Sequence, residues 1–131
     1  MITKTWKEFL SILDKFEFEK FDLIVAIASG GIIPAAFIQQ KLNIPMQIIH
    51  INYRNKNHEP IYSNAKLFEE KAFPYNSKRI LLVDDVLKTG NTIKVAKQYL
   101  KNNTVKTCFI NGKGNYSFFQ TKACLKMPWK R

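Results

Sequence analysis

Two adjacent carboxylates, Asp84 and Asp85, close the apolar run Ile80-Leu81-Leu82-Val83. Like charges so placed repel one another, and such a pair persists where cations or hydroxyl donors compensate it. The hydroxyls of a ribose, or a magnesium-bound ligand, would do so. After Val86-Leu87-Lys88 comes Thr89-Gly90-Asn91-Thr92, which offers hydroxyls, a glycine that lets backbone approach closely and amides at a helix start. Together these make a phosphate cradle. Acid pair and cradle lie one short loop apart, about the separation between the hydroxyl edge and the 5′-phosphate of one ribose. A second bend, Ala28-Ser29-Gly30-Gly31, also follows an apolar run. Gly-Gly after a strand is often only a tight turn, so this bend gains weight from its partner.

Both bends need elements that deliver them to one place. Thr5-Trp6-Lys7-Glu8 has the spacing of a capping box, and Trp6, Phe9, Leu10, Leu13 and Phe16 follow at helical intervals, predicting a helix to about Glu19. Asp22 to Ala28 reads as a strand buried on both faces. Pro34 stands in the first turn of a helix continued by Ala35, Ile38 and Leu42 and stopped by Asn43 and Pro45. Met46 to Asn52 is a second buried strand. The polar stretch from Tyr53 to about Asn64 is longer than a compact domain usually leaves between elements and predicts a lid or functional loop. Arg79 to Asp85 is a third strand, Ile93, Ala96, Lys97 and Leu100 keep helical spacing, and Thr104 to Ile110 is a fourth strand. Strands alternating with helices imply right-handed crossovers, hence an α/β fold with a mostly parallel sheet flanked by helices. In such a sheet, ligands bind beyond the carboxyl ends of the strands, where both bends lie.

The chain has 131 residues, 46% of them apolar, enough for one domain with a real core and against disorder. No internal repeat, linker or low-complexity tract divides it. MITKTWKEFL carries no apolar run with a cleavage site, and nothing approaches the roughly 18 apolar residues of a membrane span. A cytoplasmic protein with no membrane partner is expected. Cys108 and Cys124 stand in apolar surroundings without metal-site or disulfide spacing and read as two buried free thiols. The net charge is +11, and from Val86 to Arg131 there is no Asp or Glu at all. Whatever this third of the molecule binds is expected to be anionic, phosphorylated metabolites or nucleic acid. The plain alternative is a lysine-rich solvated face.

Other assignments of the acids fare worse. No GxxxxGK[ST] accompanies them, and Gly112-Lys113-Gly114 lacks that spacing, so a P-loop enzyme is not indicated. A response regulator pairs acids near its first strand, whereas these end the third. His50 alternates within an apolar strand and reads as packed, and His58 lies in the polar loop. Neither has a spaced Cys or acid for a triad or metal site. Tyr116, Phe118 and Phe119 sit among basic residues; an aromatic edge packed on the sheet or on a dimer partner is expected over base stacking.

The stretch ILLVDDVLKTGNT resembles the phosphoribosyl-pyrophosphate signature of type I phosphoribosyltransferases: an apolar run, two acids, two apolar residues, then Thr-Gly-x-Thr. VAIASGGIIPAAF looks like that family's pyrophosphate loop. The early Thr-Trp with the late Met127-Pro128-Trp129 is similar to the small bacterial xanthine/guanine/hypoxanthine branch. The resemblance implies a Rossmann-like type I phosphoribosyltransferase fold and transfer of ribose 5-phosphate from phosphoribosyl pyrophosphate to a nitrogenous base, an oxopurine, with Mg2+ and release of pyrophosphate. By it, Asp84 and Asp85 would hold the ribose hydroxyls, directly or through magnesium. Lys88, Thr89, Gly90, Asn91 and Thr92 would hold the 5′-phosphate, and Ser29, Gly30 and Gly31 the pyrophosphate. The loop with Tyr53, Arg54 and Lys56 would close over the site, and Lys113 would contact the base. A homo-oligomer, dimer or tetramer, is the family's expectation, and purine salvage its setting.

The departures concern the base and the pyrophosphate. Members acting on purines usually carry an acid just before Thr-Gly; here it is Lys88, and no carboxylate follows Asp85. Cys124 and Leu125 occupy the region of a stacking aromatic, Lys130 follows Pro-Trp where an acid is usual, and Ser29 stands where relatives often place a basic residue. Lys88 and Lys113 favour an oxygen-rich or anionic base such as xanthine over adenine. The alternative from another class is a non-catalytic regulator of this fold that senses phosphoribosyl pyrophosphate or nucleotides and binds nucleic acid through its basic C-terminal third.

Overall fold

The computed structural model describes residues 1–52 and 65–130. Its elements are β1 (Ile2–Thr3), α1 (Trp6–Lys15), β2 (Leu23–Ala28), α2 (Ile32–Leu42), β3 (Met46–Asn52), β4 (Lys66–Leu67), β5 (Arg79–Val86), α3 (Asn91–Tyr99), β6 (Thr104–Asn111), β7 (Tyr116–Phe119) and β8 (Leu125–Lys126). The main sheet has the order β4-β3-β2-β5-β6-β7. Among the described residues only the β3–β4 pairing of this sheet is antiparallel. The carboxyl ends of β3, β2, β5, β6 and β7 therefore share one edge, and the loops that follow them are brought together there. β1 and β8 form a separate two-stranded parallel pair.

The central strands are apolar throughout because both faces are covered. Leu23 to Ile27 and Ile80 to Val83 are almost wholly buried, as the uninterrupted hydrophobic runs predict. On one face α1 and α2 pack around Phe9, Ile24, Ala26, Ile38, Leu81 and Val83. On the other, α3 covers Val25, Ile27, Ile80 and Leu82 through Ile93, Ala96 and Leu100. Phe9 stacks on Phe118 at 4.6 Å between ring centroids and meets Trp129 edge-on at 5.0 Å, so β7 and the C-terminal segment are part of the first core. The expected aromatic edge is packed on the sheet. Asp22 and Arg79 pin the amino ends of β2 and β5: Arg79 Nη2 and Nε donate to the two carboxylate oxygens at 2.9 and 3.1 Å. The guanidinium holds the Asp22 carboxyl well below the usual carboxylate range.

Several expectations need correction. The capping box at Thr5 forms, but α1 ends at Lys15 instead of about Glu19. Phe16 turns to extended backbone, and Lys41 Nζ donates to the carbonyls of Leu13 and Phe16 at 2.6 and 2.7 Å. That ammonium caps the helix and removes any need for a further turn. α2, by contrast, agrees with expectation: it starts at Ile32, so Pro34 lies in its first turn, and Asn43 ends it in the left-handed conformation. β3 is covered on one face only: Ile49 and Ile51 are buried, whereas Ile48 and His50 are exposed. His50 is thus a surface residue and not a packed one. β5 and β6 each run one residue further, to Val86 and Asn111.

The two thiols also part company. Cys108 is buried and its thiol is pushed up to about 12 by desolvation, whereas Cys124 is exposed. A thiol reagent at pH 8 is expected to modify Cys124 alone in the native protein and Cys108 only after denaturation, since the thiolate is the nucleophile. Mass spectrometry of the labelled protein checks this, and rapid native labelling of Cys108 would contradict the packing of β6. No helix among the described residues is long and apolar enough to cross a membrane.

Candidate functional site

The acids sit at the carboxyl end of β5, where the buried strand emerges. Asp84 is 7% exposed and its Oδ1 accepts the Asp85 backbone N–H at 2.8 Å. Asp85 is half-buried, and its own Oδ1 accepts the Val86 N–H at 2.8 Å. Desolvation, and then the charge of Asp85, push the Asp84 carboxyl well above its ordinary value. Among the described residues no Lys or Arg pairs with either acid, and a bound cation or a hydroxyl-rich ligand would relieve the repulsion between them.

The second bend meets this pair directly. A Cβ added at Gly30 would collide with the Asp85 carboxylate, and one at Gly31 with the carbonyl oxygens of Val83 and Ile27. Two glycines are therefore required where the β2–α2 loop lies against the end of β5. The bend contains a cis Ala28–Ser29 peptide, and Gly31 N–H donates to Ile27 O at 2.9 Å. Ser29 is exposed, Gly30 half-buried and Gly31 buried.

Each bend leads into a helix, and the two helix starts share an electrostatic character. α2 begins on Gly31 and α3 on Gly90. Neither N-cap has a side-chain hydrogen bond, and neither first turn holds an acid. The amides and positive dipole ends are left for an external anion. Gly90 adopts φ +84°, a left-handed conformation that glycine takes without steric cost. Thr89 Oγ1 accepts the Asn91 N–H at 3.3 Å. Lys88 and Thr89 are exposed, and Gly90, Asn91 and Thr92 half-buried.

Asn111 was not singled out from sequence, yet it joins three loops of this edge. Its backbone oxygen accepts Leu87 N–H at 3.0 Å. Its buried side chain accepts Thr121 N–H at 2.9 Å and donates to Ala123 O at 3.1 Å. The next residue, Gly112, passes so close to Leu87 that a Cβ there would meet the leucine side chain. Lys113 follows and is exposed, so Lys88 and Lys113 stand on loops tied backbone to backbone. An Asn-Gly pair after an apolar strand reads locally as a turn, and nothing in its spacing points to residues ten and more positions away. Tyr53, Arg54 and Lys56 lie outside the described residues.

Among the described residues no group of three or more His, Cys, Asp or Glu could hold a metal ion. The two acids alone still fit Mg2+, which retains waters and takes one or two carboxylates plus substrate oxygens instead of an all-protein cage. A groove lined by Leu67, Lys94, Val95, Gln98 and Tyr99 includes none of these residues, and its apolar lining is ill-suited to a sugar phosphate.

The chain is similar to proteins already described. The family model for the phosphoribosyl transferase domain matches residues 5–116. Adenine phosphoribosyltransferase of Campylobacter fetus is 30% identical over 74% of this chain and 59% of its own length. Xanthine-guanine phosphoribosyltransferase of Idiomarina loihiensis is 25% identical over 73% of this chain, again spanning 59% of that relative. The solved purine phosphoribosyltransferase of Pyrococcus horikoshii has the same fold, with a TM-score of 0.77, 24% identity and coverage of 99% of this chain and 94% of that one.

Proposed function

Since the chain belongs to the phosphoribosyl transferase domain family, we propose that it transfers ribose 5-phosphate from phosphoribosyl pyrophosphate to a nitrogenous base, an oxopurine, and releases pyrophosphate. The observation that carries this reading is the contact of Gly30 with the Asp85 carboxylate. It sets the uncapped start of α2 beside the acid pair, with the uncapped start of α3 one turn beyond.

In this reading Asp84 and Asp85 accept hydrogen bonds from the ribose 2′- and 3′-hydroxyls. The amides from Lys88 to Thr92, with the Thr89 and Thr92 hydroxyls, take the 5′-phosphate, and those of Ser29 and Gly30 take the pyrophosphate, while Gly31, its own amide donating to Ile27 O, lets the bend approach. Magnesium, when bound, would be held by Asp84 and Asp85, directly or through water or the ribose hydroxyls, and would neutralise charge on the leaving pyrophosphate. The bond from C1 of the ribose to pyrophosphate breaks as a ring nitrogen of the base attacks the opposite side of C1. The transition state is cationic at the sugar. Positioning between two anion cradles, with the carboxylates beneath the ring, accounts for the acceleration without a covalent nucleophile.

Leaving group and base must approach C1 from opposite sides. With the pyrophosphate bend after β2, the base belongs on the β6 side of β5, where the loops that carry Lys88 and Lys113 are joined through Leu87 and Asn111. No carboxylate follows Asp85 in the chain, so the loops after β5, β6 and β7 supply no acid to accept a proton from the base or to meet an exocyclic amine. A base that enters as an anion needs no proton acceptor and is attracted by both lysines. These features favour xanthine over adenine.

A thermal-shift panel of phosphoribosyl pyrophosphate, xanthine, guanine, hypoxanthine and adenine with magnesium, followed by pyrophosphate-release assays on the hits, tests the proposal. Phosphoribosyl pyrophosphate is expected to stabilise the protein, and xanthine to support faster release than adenine. Absence of any stabilisation by phosphoribosyl pyrophosphate would sink the site, and preference for adenine would sink the base assignment alone. The matched family and the named relatives, all transferases, favour this reading over the regulatory one.

A further inference from the structure

The start of β2 through most of α2, Leu23 to Gln40, holds no Lys or Arg, and β3 holds none either. Lys41, at the far end of α2, is occupied with the carbonyls of α1. On the reading above, the pyrophosphate, the most highly charged part of the donor, would then draw no Lys or Arg from β2, from α2 before Lys41 or from β3. His50 is the cationisable side chain that β3 places there.

Its position follows from register. Ala28 of β2 pairs with His50 of β3, and Ala26 pairs with Val83 of β5. Counting two residues on in each strand, Asp85, Ala28 and His50 lie at or near the carboxyl ends of three neighbouring strands, on the same face and opposite to the buried Ile49 and Ile51. With strands about 4.8 Å apart, the His50 backbone stands about 10 Å from that of Asp85. The bend that follows Ala28 touches Asp85 at Gly30, and His50 stands on the strand at the other side of Ala28.

The ring is also held. Glu69 Oε1 accepts the His50 backbone N–H at 2.8 Å and pairs with Nδ1 at 3.0 Å. A carboxylate accepts only, so Nδ1 carries its proton toward Glu69 and Nε2 is left for another partner. The side chain is 62% exposed while that of Glu69 is 26% exposed, which leaves room for an anion beside the imidazole. An imidazolium here would donate from Nδ1 to the carboxylate and from Nε2 to a phosphate oxygen.

We infer that His50, oriented by Glu69, is a binding residue for the pyrophosphate portion of the donor and supplies the cation that the Ser29–Gly31 bend lacks. The inference rests on the proposed function. It is tested on the full chain by calorimetric titration with inorganic pyrophosphate and, separately, with ribose 5-phosphate, both with magnesium. His50→Gln is expected to weaken pyrophosphate about tenfold, the effect of one lost charge-assisted hydrogen bond, and to leave ribose 5-phosphate unchanged. His50→Arg restores the cation and is expected to recover most of the affinity, whereas Glu69→Gln falls between. In turnover, His50→Gln raises KM for phosphoribosyl pyrophosphate and leaves KM for the base alone.

Wild-type pyrophosphate affinity in a folded His50→Gln variant would overturn the inference and reduce the pair to a pin between β3 and the segment after β4. If His50→Gln does not fold, His50→Arg decides: retained pyrophosphate binding supports the assignment, and its loss contradicts it. A wild-type protein that binds neither ligand would end the proposed function and this inference with it. One that binds ribose 5-phosphate, but whose pyrophosphate affinity ignores residue 50, ends this inference only.

Discussion

Replacing Asp84 and Asp85 together with asparagine is expected to abolish stabilisation by phosphoribosyl pyrophosphate while leaving the protein folded. Asparagine matches the shape of aspartate and can still accept the Asp85 and Val86 amides that the two carboxylates accept now. It cannot compensate a cation or receive charge-assisted hydrogen bonds from a diol. Hydrogen bonds to a charged group contribute about 1.5–3 kcal/mol each, so losing two acids implies an affinity loss of roughly 10²- to 10⁴-fold. At a ligand concentration near 100 Kd, the wild type gains about 2.7 kcal/mol from the ligand, and the variant at that concentration gains almost none. The free protein should move the other way. The Asp84 carboxyl is raised in the folded state, so its contribution to stability is present below the ordinary carboxylate range and is lost as pH climbs through the raised value. In magnesium-free buffer at neutral pH, Asp84→Asn should therefore melt at or above the wild-type temperature. Unchanged ligand-induced stabilisation in the double variant would remove the acid pair from the site.

Gly30→Val should produce nearly the same loss by a different route. The new Cβ would occupy the space of the Asp85 carboxylate, so either the bend lifts or the acid swings away. In both cases diol and pyrophosphate contacts cease to be available in one geometry. Overpacking of this kind costs about 1–3 kcal/mol of stability. The loss of affinity for phosphoribosyl pyrophosphate should be larger, about a hundredfold or more, if each displaced group forfeits a charged hydrogen bond. Chemical denaturation and ligand titration on the same variant separate the two effects. A variant that loses stability but keeps its affinity would mean that the bend is scaffold alone.

Both of these sites were legible because each lies in one continuous stretch. An apolar strand, its terminal acids, a glycine and flanking hydroxyls announce themselves in order, and the parallel sheet follows from their alternation with helices. What was not legible is what depends on contact across the chain. Two-residue strands such as β1, β4 and β8 have no periodicity to detect. α1 stops early because Lys41, twenty-six positions from Lys15, fills its end, while the spacing of Phe16 still suits a helix. His50 alternates correctly, but alternation does not say which face a helix will cover; here α2 leaves Ile48 and His50 bare. Its partner Glu69 arrives from the antiparallel edge beyond the polar segment, where no local pattern links the two. Cys124 reads as apolar by its neighbours, yet the loop between β7 and β8 carries it to the surface.

Asn111 has a practical meaning for attempts to alter which base is accepted. One carboxamide and its own carbonyl secure the turn after β5 and the loop after β7, so these segments form a single transplantable unit. A chimera that imports a relative's 120–124 loop into this chain should bring that relative's residue at 111 with it. Exchanged alone, a graft whose backbone takes another path would leave the buried Asn111 carboxamide unanswered.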